Sequence, residues 1–180
     1  MSRRAVITVG AIGFAVVLQA AGLPGAAEPD GNVQAGATAA MKDAEGNSVG
    51  TVALKQTAHG TLLHARLTGL PPGTRAIHVH TVGACEPPDF QSAGGHYNPD
   101  QQQHGYLSEE GFHAGDLPNI HVPESGILEV EFFSERLELN DDLFTGDGTS
   151  LVIHSEADDY QTDPAGNAGG RIACGVIERD

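Results

Sequence analysis

The chain has 180 residues, 24 acidic against 9 basic side chains, and a formal charge of −15. That length allows one ordinary domain plus a tail. The charge speaks against nucleic acid or an anionic membrane as partner, since both are polyanions.

The first 27 residues read as an export signal rather than as fold. Met1-Ser2-Arg3-Arg4 is a short basic start, residues 5–22 are uncharged and mostly apolar, and small residues surround Pro24. This is the three-part layout of a secretory signal peptide, with cleavage expected after Ala27. An uncleaved anchor is the competing reading, because 18 apolar residues can just span a bilayer. Ser2-Arg3-Arg4 also suits a twin-arginine start, so the export route stays open. Cleavage removes Arg3 and Arg4 and takes the charge from −15 to −17. Export to the periplasm or the cell exterior places the chain where its two cysteines can form a disulfide.

Residues 28–33 read as a flexible lead, and residues 34–180 as one domain. Within it, short runs of β-formers alternate with turn chemistry, and no strong helical period occurs. Strands are expected over 34–41, 49–55, 61–68, 75–81, 127–133, 150–154 and 171–177. In the third, Leu63, Ala65 and Leu67 share a face; in the fifth, Leu128, Val130 and Phe132 stand opposite Glu129 and Glu131. Seven or eight short strands indicate an all-β sandwich or barrel. The 24 glycines and 10 prolines agree with many turns. Two segments, 82–113 and 155–170, are long and rich in Gly, Pro, Asn, Asp and Gln. Loops of that length inside a compact domain are usually functional and need something to hold them.

The nine histidines are an excess, and histidine is the commonest metal ligand. His78-Val79-His80 places two imidazoles on one face of a strand. His96, His104, His113, Asp116 and His154 follow around the two long loops. Imidazole suits zinc, copper, iron and nickel, and one carboxylate is compatible with tetrahedral zinc. His59, His64 and His121 read as surface residues.

These residues carry a resemblance. Gly94-Gly95-His96-Tyr97-Asn98-Pro99, His104-Gly105, His113-Ala114-Gly115-Asp116-Leu117-Pro118 and the run from Gly166 to Ile177 resemble copper/zinc superoxide dismutase. Cys85-Glu86-Pro87 is similar to the exported bacterial branch. The resemblance covers residues 34 to 178 and implies an eight-stranded antiparallel Greek-key sandwich or barrel with two long functional loops. It implies copper on His78, His80, His96 and His154. It implies zinc on His96, His104, His113 and Asp116, with His96 bridging. Asp158 would link His78 and His104, Arg171 would guide the anion, and Cys85 would pair with Cys174. The implied reaction is dismutation of superoxide, with Arg171 docking the substrate and His96 carrying a proton. A non-catalytic copper-binding or copper-buffering protein of the same fold is the alternative. A zinc hydrolase would need an open zinc position, which four protein ligands leave no room for. The resemblance leaves monomer and homodimer both open.

One departure bears on the substrate. Segment 155–170 contains no lysine or arginine, but holds Glu156, Asp158, Asp159 and Asp163. Beyond Arg171, the candidate cations for steering are Lys42, Lys55, Arg66 and Arg75. A weaker or rearranged steering field is expected.

Overall fold

The structure is a computed structural model that describes residues 36–180. The expected signal peptide 1–27, the lead 28–33 and the start of the first expected strand lie outside the described residues. The strands are β1 (Gly36–Asp43), β2 (Ser48–Thr57), β3 (Gly60–Leu67), β4 (Gly73–Arg75), β5 (Ile77–His80), β6 (Ile120–Val122), β7 (Leu128–Ser134), β8 (Ser150–His154) and β9 (Arg171–Arg179). Seven of them form one antiparallel sheet in the order β5-β8-β9-β1-β2-β3-β7, and β4 pairs with β6 in a small second sheet.

The period-2 pattern explains the sheet. Ala37, Ala39 and Met41 of β1 and Leu63, Ala65 and Leu67 of β3 are buried on one face, while Lys42, Lys55 and Arg66 of β1, β2 and β3 point to solvent. Full burial of each larger aliphatic side chain contributes about 1.5–3 kcal/mol. The β1–β2 turn is set by Asp43, whose Oδ1 accepts from the backbone N–H of Glu45 at 3.1 Å and of Asn47 at 2.7 Å. The chain runs β1-β2-β3 as a meander, then crosses from β3 to β5 at the far edge of the sheet. It returns to β7 and crosses again to β8. These are the Greek-key connections the resemblance implied.

Two details differ from the sequence reading. The run 75–81 divides at Ala76, whose N–H donates to Glu156 O at 2.8 Å and whose carbonyl accepts from His154 N at 2.9 Å. Ala76 therefore bonds the second long loop and the end of β8. The strand β6 is not among the expected runs, although His121 reads as an outward strand position; it is three residues between Pro118 and Pro123, too short for periodicity to show.

The crossovers produce the two long loops. The first joins β5 to β6 and contains only a short 3₁₀ turn, Gln91–Ala93. The second, 155–170, joins β8 to β9. The Cys85–Cys174 disulfide ties the first loop to β9 across 89 residues. Phe90, Ala93, Val152 and Cys174 form a small apolar cluster apart from the main core. Among the described residues, no helix is long and apolar enough to cross a membrane.

Candidate metal centre

Two strands and the first long loop deliver the histidines to one place. His78 and His80 stand on β5 and His154 ends β8, which pairs with β5 so that His78 faces Val152. The first loop folds back along β5, with single-residue bridges joining His80 to His96 and His78 to Asp116. Gly115 allows this approach: a Cβ there would lie 2.4 Å from Val79 O. All six histidines and Asp116 are buried.

The side chains form two groups that share His96. His78, His80, His96 and His154 make one; His96, His104, His113 and Asp116 make the other, with the potential ligand atoms of each group within 4.8 Å of one another. In the second group, Asp116 Oδ1 lies 3.0 Å from His96 Nδ1, 3.0 Å from His104 Nδ1 and 3.2 Å from His113 Nδ1. His96 and His113 Nδ1 are 3.4 Å apart. Zinc bonds of about 2.0–2.1 Å imply tetrahedral edges of about 3.3 Å. The observed spacing is that of a tetrahedral set.

Proton placement supports the same reading. A carboxylate only accepts, so His78 Nε2 and His104 Nε2, each 2.9 Å from Asp158, carry the ring protons. His80 Nδ1 donates to Gly94 O at 2.9 Å. His78 Nδ1, His104 Nδ1 and His80 Nε2 therefore hold lone pairs. His104 Nδ1 aims its lone pair at a carboxylate oxygen, which repels unless a cation lies between or the ring is doubly protonated. In the first group, His78 Nδ1, His96 Nε2 and His154 Nδ1 are buried without a partner. His80 Nε2 meets His154 Nε2 at 3.4 Å. Buried ring nitrogens converging without partners are unfavourable in a protein and favourable around a metal. The residues fit two ions.

Electrostatics prepares both groups. Burial lowers His80 to about 2, His154 to about 3 and His96 to about 4, with neighbouring rings adding repulsion. These imidazoles are neutral, as metal ligands must be. Burial also acts against the charged form of His104, but Asp116 and Asp158 push it up to about 9. Asp116 and Asp158 are held well below the usual carboxylate range; burial opposes this, and their histidine partners outweigh it.

Asp158 belongs to neither ligand group. Its Oδ2 accepts from His78 and its Oδ1 from His104, so one carboxylate orients a ring in each group. Its close set with His78 and His104 is not a third metal site, because both facing nitrogens carry protons. Two supporting residues escaped the sequence reading. Asn119 Nδ2 donates to Asp158 O, and Asn119 Oδ1 accepts from Asp158 N, both at 2.9 Å. Gly166 packs against the carboxylate so closely that a Cβ would fall 1.8 Å from Oδ1. Asn119 carries no motif, and nearness to Asp116 was its one signal; Gly166 opens the run from Gly166 to Ile177, but nothing in that run points to a contact with Asp158.

Arg171 starts β9. Its Nη1 donates to Phe90 O and its Nη2 to Gly94 O, both at 2.6 Å. It lines a cleft of about 550 Å³ together with His80, His96, His154, Thr162 and Asp163. Among the described residues, Arg171 is the one lysine or arginine lining this cleft, and Asp163 the one carboxylate. The other candidate cations lie elsewhere: Arg66 is bonded to Glu129 at 2.9 Å, Arg75 to the carbonyls of Pro71, Pro72 and Ser155, and Lys42 and Lys55 sit exposed on β1 and β2. His59 and His121 are exposed and His64 pairs with Glu129, all outside both groups.

Comparison with known proteins agrees with this geometry. The copper/zinc superoxide dismutase family matches residues 48–177. Copper-zinc superoxide dismutase 1 of Aquifex aeolicus is 47% identical over 139 residues, covering 74% of this chain and 82% of that protein. Among solved structures, a superoxide dismutase-like protein from Bacillus subtilis is 36% identical with a TM-score of 0.74, covering 77% of this chain and 96% of the other. Copper/zinc superoxide dismutase from Brucella abortus is 30% identical with a TM-score of 0.69, covering 79% and 99%.

Proposed function

Because the chain belongs to the copper/zinc superoxide dismutase family, we propose that its two buried groups divide the metals between them: copper on His78, His80, His96 and His154, zinc on His96, His104, His113 and Asp116. The reaction is dismutation of superoxide to dioxygen and hydrogen peroxide, and the cofactors are copper and zinc. When bound, copper supplies one-electron oxidation and reduction, and zinc supplies a fixed positive charge in a filled ligand set.

The chain's own groups do the rest. Arg171 is a permanent cation whose planar fork keeps donors free beyond the two held by Phe90 and Gly94, and these orient a small anion in the cleft. His96 Nε2 is the proton-carrying atom: it is buried, has no hydrogen-bond partner, and its ring borders the cleft. Its Nδ1 faces Asp116 within the zinc group, so the ring would keep its place from that side while Nε2 gains and gives up a proton. Asp158 holds His78 and His104 in the tautomers that leave their Nδ1 atoms free. The second proton of the peroxide comes from water in the open cleft.

The observation that carries this assignment is the His96 ring shared by the two groups, with Arg171 at the mouth of the same cleft. Segment 1–27 acts as the export signal, and the Cys85–Cys174 disulfide fits an oxidising destination, the periplasm or the cell exterior. The acid charge fits a protein without nucleic-acid or membrane partners, working as monomer or homodimer.

Metal analysis combined with a dismutation assay tests the reading. The purified mature protein should hold about one copper per chain and be active. Arg171→Ala should keep the copper and lose about tenfold or more in kcat/KM, the expected scale for removing a charge-assisted contact. Full copper loading without activity, or an Arg171→Ala variant as active as the parent, contradicts it.

A further inference from the structure

Arg171 is aimed by a single turn. Its two carbonyl partners, Phe90 O and Gly94 O, belong to one five-residue stretch, 90–94. Gly94 O also accepts from His80 Nδ1 at 2.9 Å. The stretch lies outside the strands and is shaped by its own bonds, Ala93 N to Phe90 O and Gly94 N to Gln91 O, both 3.1 Å. The Phe90 ring ties this turn to the sheet. It is 1% exposed and packs with Ala93, Val152 and Cys174. Val152 lies two residues before His154 on β8, and Cys174 lies three after Arg171 on β9. The ring is thus pegged against the two strands that carry a copper-group ligand and the guanidinium itself.

The backbone at Phe90 makes the dependence sharper. Its φ of 54° and ψ of 25° lie in the left-handed region, which a bulky aromatic seldom adopts. Such a conformation persists where surrounding structure determines it. The disulfide holds the loop at Cys85, with Phe90 N bonded to Glu86 O at 3.0 Å. Hydrogen bonds also hold the turn, with Val82 N donating to Ala93 O at 3.1 Å, Thr81 N to Gly95 O at 2.9 Å and Ser92 Oγ to Ala84 O at 3.1 Å; the Phe90 ring adds the apolar contact that seats it against β8 and β9.

We propose that Phe90 is a positioning residue for Arg171: its buried ring fixes the turn whose two carbonyls aim the guanidinium into the cleft. The inference rests on the reading of Arg171 as the anion's dock. It predicts that anion affinity separates from metal retention when the ring is removed.

The test uses the full copper- and zinc-loaded protein and azide as a small anionic probe, titrated by its effect on the copper absorption spectrum. A second readout needs no copper: hydrogen exchange of the Arg171 Nε–H by NMR in zinc-loaded protein. The variants are Phe90→Ala, Phe90→Leu, Arg171→Ala and, as a control for lost stability alone, Leu54→Ala in the main core. Phe90→Ala should bind azide about tenfold more weakly and exchange the Arg171 Nε–H faster, while keeping copper and zinc. Phe90→Leu should fall between, binding azide about threefold more weakly than the parent, because the smaller aliphatic side chain keeps part of the peg. Leu54→Ala should lose stability and keep azide affinity. Wild-type azide affinity in Phe90→Ala, beside a clear loss in Arg171→Ala, overturns the proposal and leaves the dock intact. Unchanged affinity in Arg171→Ala removes the dock and the proposal together. Should Phe90→Ala fail to fold, Phe90→Leu decides: weaker azide binding with faster Nε–H exchange supports the assignment, and wild-type values of both overturn it.

Discussion

Replacing Gly166 by alanine strikes the carboxylate that joins the two histidine groups. A Cβ at this position would stand 1.8 Å from Asp158 Oδ1, 2.6 Å from its Cγ and 2.7 Å from His104 Nε2. Carbon does not settle closer than about 3.0 Å to such atoms, so the carboxylate must retreat by about 1.2 Å. Its bonds to His78 and His104 start at 2.9 Å. A retreat of that size takes both to about 4 Å, beyond hydrogen-bond reach. Each bond to a charged group contributes about 1.5–3 kcal/mol, and the left-handed φ of 64° adds about 1 kcal/mol for alanine. The combined loss is about 4–7 kcal/mol, a large part of a domain's stability. Zinc affinity should fall about 10- to 100-fold, the usual effect of removing an orienting partner from a metal ligand. The assay is thermal unfolding together with zinc competition against a chromophoric chelator. Gly146→Ala is the control, because Gly146 has nearly the same φ, 65°, and nothing within 4 Å. It should lose only about 1 kcal/mol. If Gly166→Ala behaves like Gly146→Ala, the Asp158 contacts do not set the geometry of either group.

Asn119→Ala removes both bonds to the Asp158 backbone and should destabilise the protein by about 2 kcal/mol while weakening zinc retention; a loss confined to stability contradicts the positioning role. The metal-free protein should be most stable near pH 6.5. Below that, unfolding lets His80, His96 and His154 take up protons that burial denies them when folded, so stability falls with pH. Above it, His104, raised to about 9, gives up its second proton, the one that faces Asp116 from Nδ1, and its contribution disappears between 6.5 and 9. Three histidines act on the acid flank, joined below about pH 4 by Asp116 and Asp158, whose carboxylates are held low in the folded protein, and one histidine acts on the alkaline flank; denaturant midpoints should therefore fall more steeply toward acid, and a flat profile from 6.5 to 9 contradicts the His104 bridge. Finally, a cleft lined by one arginine and one exposed carboxylate should steer superoxide weakly. Between about 10 and 150 mM salt, kcat/KM should fall less than about threefold; a tenfold fall in stopped-flow measurements rejects this.

The two histidine groups were legible because their chemistry repeats in the sequence at short spacing. His78 and His80 share a face by strand periodicity alone, and the motif around His96, His113 and Asp116 comes intact. The strands with clear alternation, such as β3 and β7, were found close to their bounds. What the sequence hides is carried by backbone atoms and by distant packing. Ala76 ends a strand because its N–H and carbonyl serve Glu156 and His154, partners some 80 residues away. Asn119 and Gly166 act on Asp158 across 39 and 8 residues, through a main-chain clamp and a missing side chain. Phe90 reads as any buried aromatic until its carbonyl is seen to hold a guanidinium. Periodicity and ligand spacing record where side chains point, but not which carbonyl they will find.

The two groups differ in what carries them. Three of the four histidines of the first group stand on β5 and β8, neighbouring strands of the main sheet, whereas every member of the second group comes from the loop between β5 and β6. The first half of the centre is therefore a product of sheet formation, and the second exists only once the loop has closed over it. Asp158 and His96 then make the halves report on each other: whatever steadies the loop also narrows the freedom of His78, and by reciprocity a filled sheet-borne half tightens the loop-borne one by the same factor. Neither half is independent of the other, since His96 belongs to both and one carboxylate, Asp158, is bonded into both.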